Sequence, residues 1–513
     1  MCGIIGVIGT QEAAQEAYLG LTALQHRGQD AAGILTQDEN GLHCVKSLGL
    51  AENLTKNPAV NQLLGSTAIG HARYSTIGSG DILEVQPFLV NYPYGIGLVH
   101  NGNLVNPYSL SRELRDEKSR HLLTHSDSEV ILNYLADGIA RARKDKVNGP
   151  LEFADVIDSV KGIHGKCVGS YSVVSLIADS GIVAFRDPNG IRPLIWGKKK
   201  GTLPTGEAHC FASESAALSL NGYEIIRSLR PGEVIYIDKN GKIFEKVITD
   251  KPHRPCMFEW VYFASPVSIM DDIPVYSARI EFGKKLAVKV AKILKEKDLW
   301  PDVVAPVPDT SRTAALSIAE SLGVPYREVM IKNRYIKRTF IMESQQQRKK
   351  AISVKLAPVL SEIKGKTVLL VDDSIVRGNT SKQIIEHARA AGAKKVIFVS
   401  TCPPLKEPCF YGIDFPSKEE LIASSQSIPE VEKELGADAL IYMDIEGLVE
   451  SLKSAGGANK KFDRPCMACL DGNYPTDISE SSELTKARIK DRKRSGESHS
   501  KKSVNRIGEG GGF

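Results

Sequence analysis

Apolar positions follow two different rhythms along the 513 residues. From residue 2 to about 240, short β-like runs dominate, at 3–7, 96–99 and 171–176, with Gly, Asn and Pro turns between them. Two stretches break that rhythm with helical spacing, 13–24 and 128–140. In the second, Val130, Ile131, Tyr134, Leu135 and Ile139 mark one face. Residues 231–236 read as a last turn and strand, which places a boundary near 240–260. From about 270 helical stretches alternate with continuous apolar runs at 303–305, 367–371, 395–399 and 439–442. Strands that are apolar on both faces and separated by helices imply a parallel sheet covered on both sides. The expectation is α/β with two domains, 2–240 and 241–478, and a tail over 479–513.

Composition sharpens this picture in three ways. The chain is 42% hydrophobic and 25% charged, an ordinary balance for a folded protein of this length. No apolar run approaches the roughly 18 residues of a membrane span, and no signal-peptide pattern opens the chain. A cytoplasmic protein without a membrane partner is expected. The net charge of +5 is local: residues 486–506 hold nine Lys/Arg against two Asp/Glu. That segment is Ser/Gly/Lys-rich and is expected to be a solvated, disordered tail rather than a nucleic-acid binder. Nine cysteines in so long a chain suggest a reducing compartment rather than a disulfide framework. Cys44, Cys167 and Cys210 are expected as small buried hydrophobes.

The chain opens Met1-Cys2-Gly3. Loss of Met1 would give Cys2 a free α-amine beside its own thiol. Such an amine has a pKa of about 7.7–8.0, so one residue can supply both nucleophile and base. Three polar motifs follow. His26-Arg27-Gly28-Gln29-Asp30 comes after the first helix. Gly70-His71-Ala72-Arg73-Tyr74 places a guanidinium fork suited to a carboxylate. His100-Asn101-Gly102-Asn103 offers an amide and a backbone N–H, the donors an oxyanion needs. Asp127 lies at a helix start, where a plain capping role is the alternative. With these motifs, residues 2–240 resemble the glutaminase domain of the N-terminal-nucleophile (class II) glutamine amidotransferases. The resemblance implies a four-layer αββα sandwich. It makes Cys2 the nucleophile, Asn101 and Gly102 the oxyanion hole, Arg73 the anchor for the glutamine α-carboxylate and Asp127 the anchor for its α-amine.

The apolar run 367–371 ends in Asp372-Asp373-Ser374-Ile375-Val376-Arg377-Gly378-Asn379-Thr380-Ser381, and a helix follows. Ligands of parallel sheets lie beyond the carboxyl ends of strands, and a loop leading into a helix N-terminus suits phosphate. Paired aspartates suit ribose hydroxyls and Mg²⁺. The string resembles the phosphoribosyl pyrophosphate motif of type I phosphoribosyltransferases, with Asn379 where the amidotransferase subgroup usually has Thr. By that resemblance the loop at Asp309, Ser311 and Arg312 receives pyrophosphate, and Ser311 joins Asp372 and Asp373 around Mg²⁺. Lys332 and Arg338 would belong to a lid, with Lys337 where the family usually has Gly.

Both halves together resemble the glutamine phosphoribosylpyrophosphate amidotransferase family over residues 2–478. The expected substrates are glutamine and phosphoribosyl pyrophosphate, with ammonia passing through a closed apolar passage. The family also implies a homotetramer and purine nucleotide inhibitors. Four further cysteines, Cys256, Cys409, Cys466 and Cys469, can make a four-thiolate site for zinc or for [4Fe–4S], or can remain free thiols. Their flanking strings resemble the iron–sulfur subclass, which implies a structural [4Fe–4S] cluster. Two other readings stay open: a glutaminase with a different acceptor, and a phosphoribosyl-binding regulator of nucleic acid.

Overall fold

The computed structural model describes residues 1–74, 81–143, 149–332, 356–415, 417–457 and 462–490. The amino-terminal part is built on two antiparallel sheets. Its elements run β1 (Gly3–Ile8), α1 (Ala13–Ala23), β2 (Ala31–Asp38), β3 (Gly41–Leu48), β4 (Thr67–Arg73), β5 (Phe88–Val90), β6 (Ile96–Leu104), α2 (Pro107–Lys118), α3 (Asp127–Ala142) and α4 (Phe153–Lys166). They continue with β7 (Gly169–Ile177), β8 (Gly181–Arg186), β9 (Ile195–Lys200), β10 (Glu207–Ala212), α5 (Ser215–Leu220), β11 (Glu224–Ser228), β12 (Glu233–Asp238) and β13 (Ile243–Val247). One sheet has the order β11-β9-β10-β1-β4-β2-β3 and the other β13-β12-β8-β7-β6-β5. Ile4, Leu35, Ile69, Val99, Val174 and Ile182 fill the space between the sheets. The outer face of the second sheet packs on α3 and α4 through Ile131, Leu135, Val156 and Val160. With α1 and α5 covering the first sheet, the layers are the expected αββα.

Three details differ from the sequence reading. Strand β13 pairs with β12 along its length, so the second sheet runs to Val247 rather than ending near 240. The edge strand β13 is exposed along most of its length and carries no apolar alternation to announce it. Cys44 is exposed, because β3 is the other kind of edge, with a partner on one side only. Cys167 and Cys210 are buried as expected. The expected tail begins with order: residues 481–490 are helical, with Leu484 and Arg488 buried. Leu484 anchors that turn in the core, which a count of charges does not reveal. Residues 491–513 lie outside the described residues.

A short ribbon, β14 (Ile269–Met270) with β15 (Ile273–Pro274), leads into the second part. It continues α6 (Val275–Glu296), β16 (Val303–Pro306), α7 (Arg312–Leu322), β17 (Met330–Lys332), β18 (Leu356–Pro358), β19 (Thr367–Asp372), α8 (Asn379–Ala390), β20 (Lys395–Ser400), α9 (Ile428–Leu435), β21 (Ala439–Tyr442) and α10 (Ile445–Gly456). Strands β16-β19-β20-β21 form a parallel sheet, and β19 is buried along its whole length. Its carboxyl end delivers Asp372 and Asp373 to a crevice that faces the amino-terminal domain.

Candidate functional site

Two cavities lie back to back, and Tyr74 lines both. The smaller, of about 50 Å³, is bounded by Cys2, Arg73, Gly102 and Asp127. Cys2 precedes β1, and its Sγ is 3.5 Å from Tyr74 N and 3.7 Å from Tyr74 O. Arg73 ends the neighbouring strand β4, is buried, and donates to Glu84 Oε2 at 2.9 Å. Asp127 begins α3 and accepts the Leu104 N–H at 2.9 Å.

Strand β6 borders the same cavity through His100, Gly102 and Asn103. Beyond Leu98 its outer edge is no longer paired with β5. On that edge the His100 N–H is taken by Gln86 Oε1 at 2.6 Å and the Leu104 N–H by Asp127. Gly102 lies between them. Its partner across the sheet, Tyr171, directs its own N–H and C=O to Asp187, away from β6. Gly102 therefore turns its N–H and C=O to the open edge. The Asn101 side chain is buried, and neither its oxygen nor its nitrogen has a hydrogen-bond partner among the described residues. An unpaired buried amide costs about 1–3 kcal/mol, a cost that a polar ligand would relieve.

Arg27 holds the Cys2 backbone. Its Nε donates to Cys2 O at 2.9 Å, and its other nitrogens bind Glu214 at 2.6 Å and Glu259 at 2.8 and 2.9 Å. Burial pushes the Glu214 carboxyl up, but Arg27 and His26 outweigh it and hold the pKa at about 2. Glu84, Gln86, Glu214 and Glu259 escaped the sequence reading, since no local spacing links them to Cys2. The polar string containing Arg27 was the one visible sign.

The larger cavity, of about 530 Å³, is lined by Asp372, Asp373, Ser374 and the loop Arg377, Gly378, Asn379, Thr380 and Ser381. The loop enters α8 with Gly378 at φ +76°, a left-handed turn that leaves the first N–H groups of the helix facing the cavity. Burial raises the pKa of Asp372, with the Asp373 charge adding to it. Asp373 is pushed up to about 6, again by burial, and Arg279 only partly offsets this. Neighbouring charges are engaged elsewhere. Asp309 binds Lys332 at 2.8 Å and Arg312 at 2.5 Å, and Arg377 binds Glu420 at 2.7 Å. Ser311 is buried, with its hydroxyl on Val307 O rather than in the cavity. Of the expected set, the structure brings the 372–381 residues together and leaves Asp309, Ser311 and Lys332 at the margin. Arg338 and Lys337 lie outside the described residues.

Cys256, Cys409, Cys466 and Cys469 are all buried. Cys256 and Cys466 face each other in a parallel bridge, and the Cys469 carbonyl accepts from Lys406 N and Glu407 N. Burial raises the Cys469 thiol, and the charges of Cys409, Cys402, Cys256 and Cys466 raise it further. The four thiols thus share one neighbourhood with Cys402. Among the described residues, no three His, Cys, Asp or Glu side chains are placed to hold a single metal ion.

Residues 71–220 match the glutamine amidotransferase domain family and residues 278–411 the phosphoribosyl transferase domain family. Amidophosphoribosyltransferase of Pseudomonas aeruginosa is 48% identical over 482 residues, 94% of each chain. The Escherichia coli and Saccharomyces cerevisiae amidophosphoribosyltransferases are 46% and 43% identical, over 93% and 94% of this chain and 93% of each relative. Among solved structures, the Bacillus subtilis glutamine phosphoribosylpyrophosphate amidotransferase, complexed with ADP and GMP, superposes with a TM-score of 0.80 at 37% identity. That match covers 93% of this chain and 98% of the other.

Proposed function

The chain belongs to the amidophosphoribosyltransferase family, and from that premise we infer that nitrogen is taken from glutamine at Cys2 and joined to phosphoribosyl pyrophosphate in the larger cavity. The products are glutamate, pyrophosphate and 5-phosphoribosylamine, and the reaction opens de novo purine nucleotide biosynthesis. The observation that carries the pairing of residues with steps is the shared wall: Tyr74 borders both the thiol pocket and the aspartate pocket. Supplying glutamine and Mg²⁺, with and without phosphoribosyl pyrophosphate, and following glutamate and pyrophosphate tests it. Pyrophosphate release independent of glutamine and of ammonia would reject the transfer.

In the first cavity the Cys2 sulfur attacks the glutamine amide carbon. The Arg73 guanidinium takes the α-carboxylate and Asp127 the α-ammonium, because a zwitterion needs one fixed charge of each sign. The carbonyl oxygen, as it gains charge, lies on Asn101 Nδ2 and the Gly102 N–H. The base is the α-amine of Cys2 once Met1 is removed. Ammonia leaves, and water releases glutamate from the thioester. Phe258, Ile413 and Phe415 line the larger cavity and would give an apolar route that keeps ammonia unprotonated.

In the second cavity the N–H groups of the 374–381 loop receive phosphate. Mg²⁺ arriving with the substrate would neutralise charge on the pyrophosphate, and Asp372, Asp373 and Ser311 would hold it. Two adjacent carboxylates of raised pKa, whose charge Arg279 only partly offsets, fit that ion. Lys332 would leave Asp309 for the pyrophosphate as the site closes, with Arg338 joining it and the backbone of the 307–312 loop receiving the phosphate oxygens.

We read the four buried thiols as ligands of a [4Fe–4S] cluster, on the flanking strings they share with the iron–sulfur subclass. Its role is structural: it would tie the segments at 256, 409 and 466–469 together. Iron and sulfide quantitation with the visible spectrum of anaerobically purified protein decides; colourless zinc protein of full activity rejects the cluster. The same reading includes a homotetramer, inhibition by purine nucleotides and a cytoplasmic location, supported for nucleotides by the ADP and GMP of the Bacillus subtilis structure. Scattering mass and AMP or GMP titration test the first two.

A further inference from the structure

Strand β6 carries the oxyanion donors, and its open edge is closed by a segment of the other domain. Asn103 Nδ2 donates to Phe410 O at 3.1 Å. Ser170 Oγ donates to Tyr411 O at 3.0 Å, and Ser170 is the cross-strand partner of Asn103. Arg192 Nε donates to the same Tyr411 carbonyl at 2.8 Å. Gly412 comes closest: at φ +99°, a Cβ placed on it would stand 3.0 Å from Gly102 O and 3.2 Å from Gly102 C. The segment also touches the remaining sites. It starts at Cys409, whose Sγ accepts the Tyr411 N–H at 3.4 Å. It continues as Ile413, Asp414 and Phe415, which line the larger cavity.

We propose that residues 410–412 restrict the backbone at Gly102, with Gly412 as a positioning residue for the glutaminase step. The N–H and C=O of Gly102 belong to consecutive peptide planes hinged at its Cα, so close packing of Gly412 on the C=O narrows the φ and ψ through which the N–H can turn. An oxyanion hole accelerates a reaction only if its donors are aimed before charge develops. Gly412 lets two backbones meet without a side chain between them. The segment 409–415 continues from Gly412 into the lining of the larger cavity. The positioning role rests on the reading of Asn101 and Gly102 as oxyanion donors.

The test compares Gly412→Ala, Ser170→Ala and Asn101→Ala in the full chain. Gly412→Ala should lower glutaminase kcat by about tenfold or more, with KM for glutamine changed less than about twofold. Ammonia-dependent transfer should stay within about twofold, which also certifies folding. An aldehyde analogue of glutamine reports orientation directly. The Cys2 sulfur adds to its carbonyl carbon, the carbonyl electron pair moves onto oxygen, and the thiol proton passes to the α-amine. Its affinity should fall in step with kcat, while affinity for glutamate does not. Ser170→Ala, which adds no bulk, should show the same pattern at a smaller size, and it decides the matter if Gly412→Ala does not accumulate. Parallel loss of KM, kcat and ammonia-dependent transfer, or no loss at all, overturns the proposal. Asn101→Ala separates the two layers: full glutaminase activity in that variant rejects the oxyanion reading itself, whereas a loss there with normal Gly412→Ala and Ser170→Ala rejects only the role of 410–412.

Discussion

The two cavities meet at Tyr74 and are prepared in opposite ways. The thiol pocket is small, about 50 Å³, and its charges already have partners: Arg73 rests on Glu84 and Asp127 holds the Leu104 N–H. The Asn101 amide beside it has no hydrogen-bond partner among the described residues. The phosphoribosyl cavity is about 530 Å³, and its two aspartates face each other's charge, with the nearby Lys332, Arg312 and Arg377 bound to other carboxylates. The first is preorganised, so its ligand binds without moving charge. The second must be rearranged by its ligand, which supplies the missing cation and displaces the ion pairs. A preorganised hydrolase beside an incomplete acceptor site wastes less nitrogen if it works only when the acceptor is loaded.

The widest gap between the pockets should come from removing the chemistry of one at a time. Cys2→Ala should cut glutamine-dependent transfer by about 10⁴-fold or more and leave ammonia-dependent transfer near normal. Loss of both would make Cys2 a structural residue. Next in size, Asp372→Ala with Asp373→Ala should show the converse. Transfer falls by about 10³-fold for either nitrogen source, as expected when several kcal/mol of charge stabilisation is lost, while basal glutaminase persists. Unchanged transfer would show that the acidic pair has no part in holding the pyrophosphate donor.

A smaller change probes preorganisation itself. Arg73→Lys keeps the charge but removes the planar fork that Glu84 aligns. KM for glutamine should rise by about tenfold, with a lesser change in kcat and none in ammonia-dependent transfer. An equal fall of both activities would place Arg73 in the fold rather than at the substrate.

The sequence disclosed these pockets unevenly, for physical reasons. Buried strands such as 367–372 are continuous apolar runs, and Asp372 and Asp373 follow such a run directly, so strand, acidic pair and helix were local in sequence. Cys2, Arg73, Asn101 and Asp127 were legible as short polar strings beside strands and a helix start. The supports were not. Gln86 reaches His100 N and Ser128 from a turn, Glu214 crosses 187 residues to Arg27, and Gly412 crosses more than 300 to Gly102. Contacts of that kind depend on how sheets and domains stack, which periodicity does not encode. Edges were misjudged for a related reason. Cys44 and β13 belong to strands with one partner, where burial stops following composition. The helix at 481–490 was hidden in a basic stretch because two buried residues, Leu484 and Arg488, outweigh its charge. Arg488 is spent on the Cys409 carbonyl at 2.8 Å, far from any pattern a tail would show.

The least change expected concerns acid, and it again divides the halves. In the amino-terminal domain burial lowers the pKa of four histidines: His71, His100, His164 and His209. His164 is brought down to about 3, and neither ring nitrogen has a hydrogen-bond partner among the described residues. Between pH 6.5 and 3 the unfolded chain binds a proton that folded His164 refuses, so stability falls as pH falls through that window. At about 1.4 kcal/mol per pKa unit, the loss from His164 at pH 5 is about 2 kcal/mol. Asp373, raised to about 6 in the ligand-free protein, has the opposite sign: its folded form takes the proton first, which favours the carboxyl-terminal domain on the same descent. Hydrogen exchange at pH 7.5 and pH 5 should therefore show the amino-terminal helices at 127–142 and 153–166 opening before β19. His164 lies against the Tyr171 and Phe185 rings, so His164→Phe keeps an aromatic group there and should remove most of the acid loss with little effect at pH 7.5. Equal loosening of both domains at pH 5, or a variant as acid-sensitive as the parent, would show that the histidines do not set the difference.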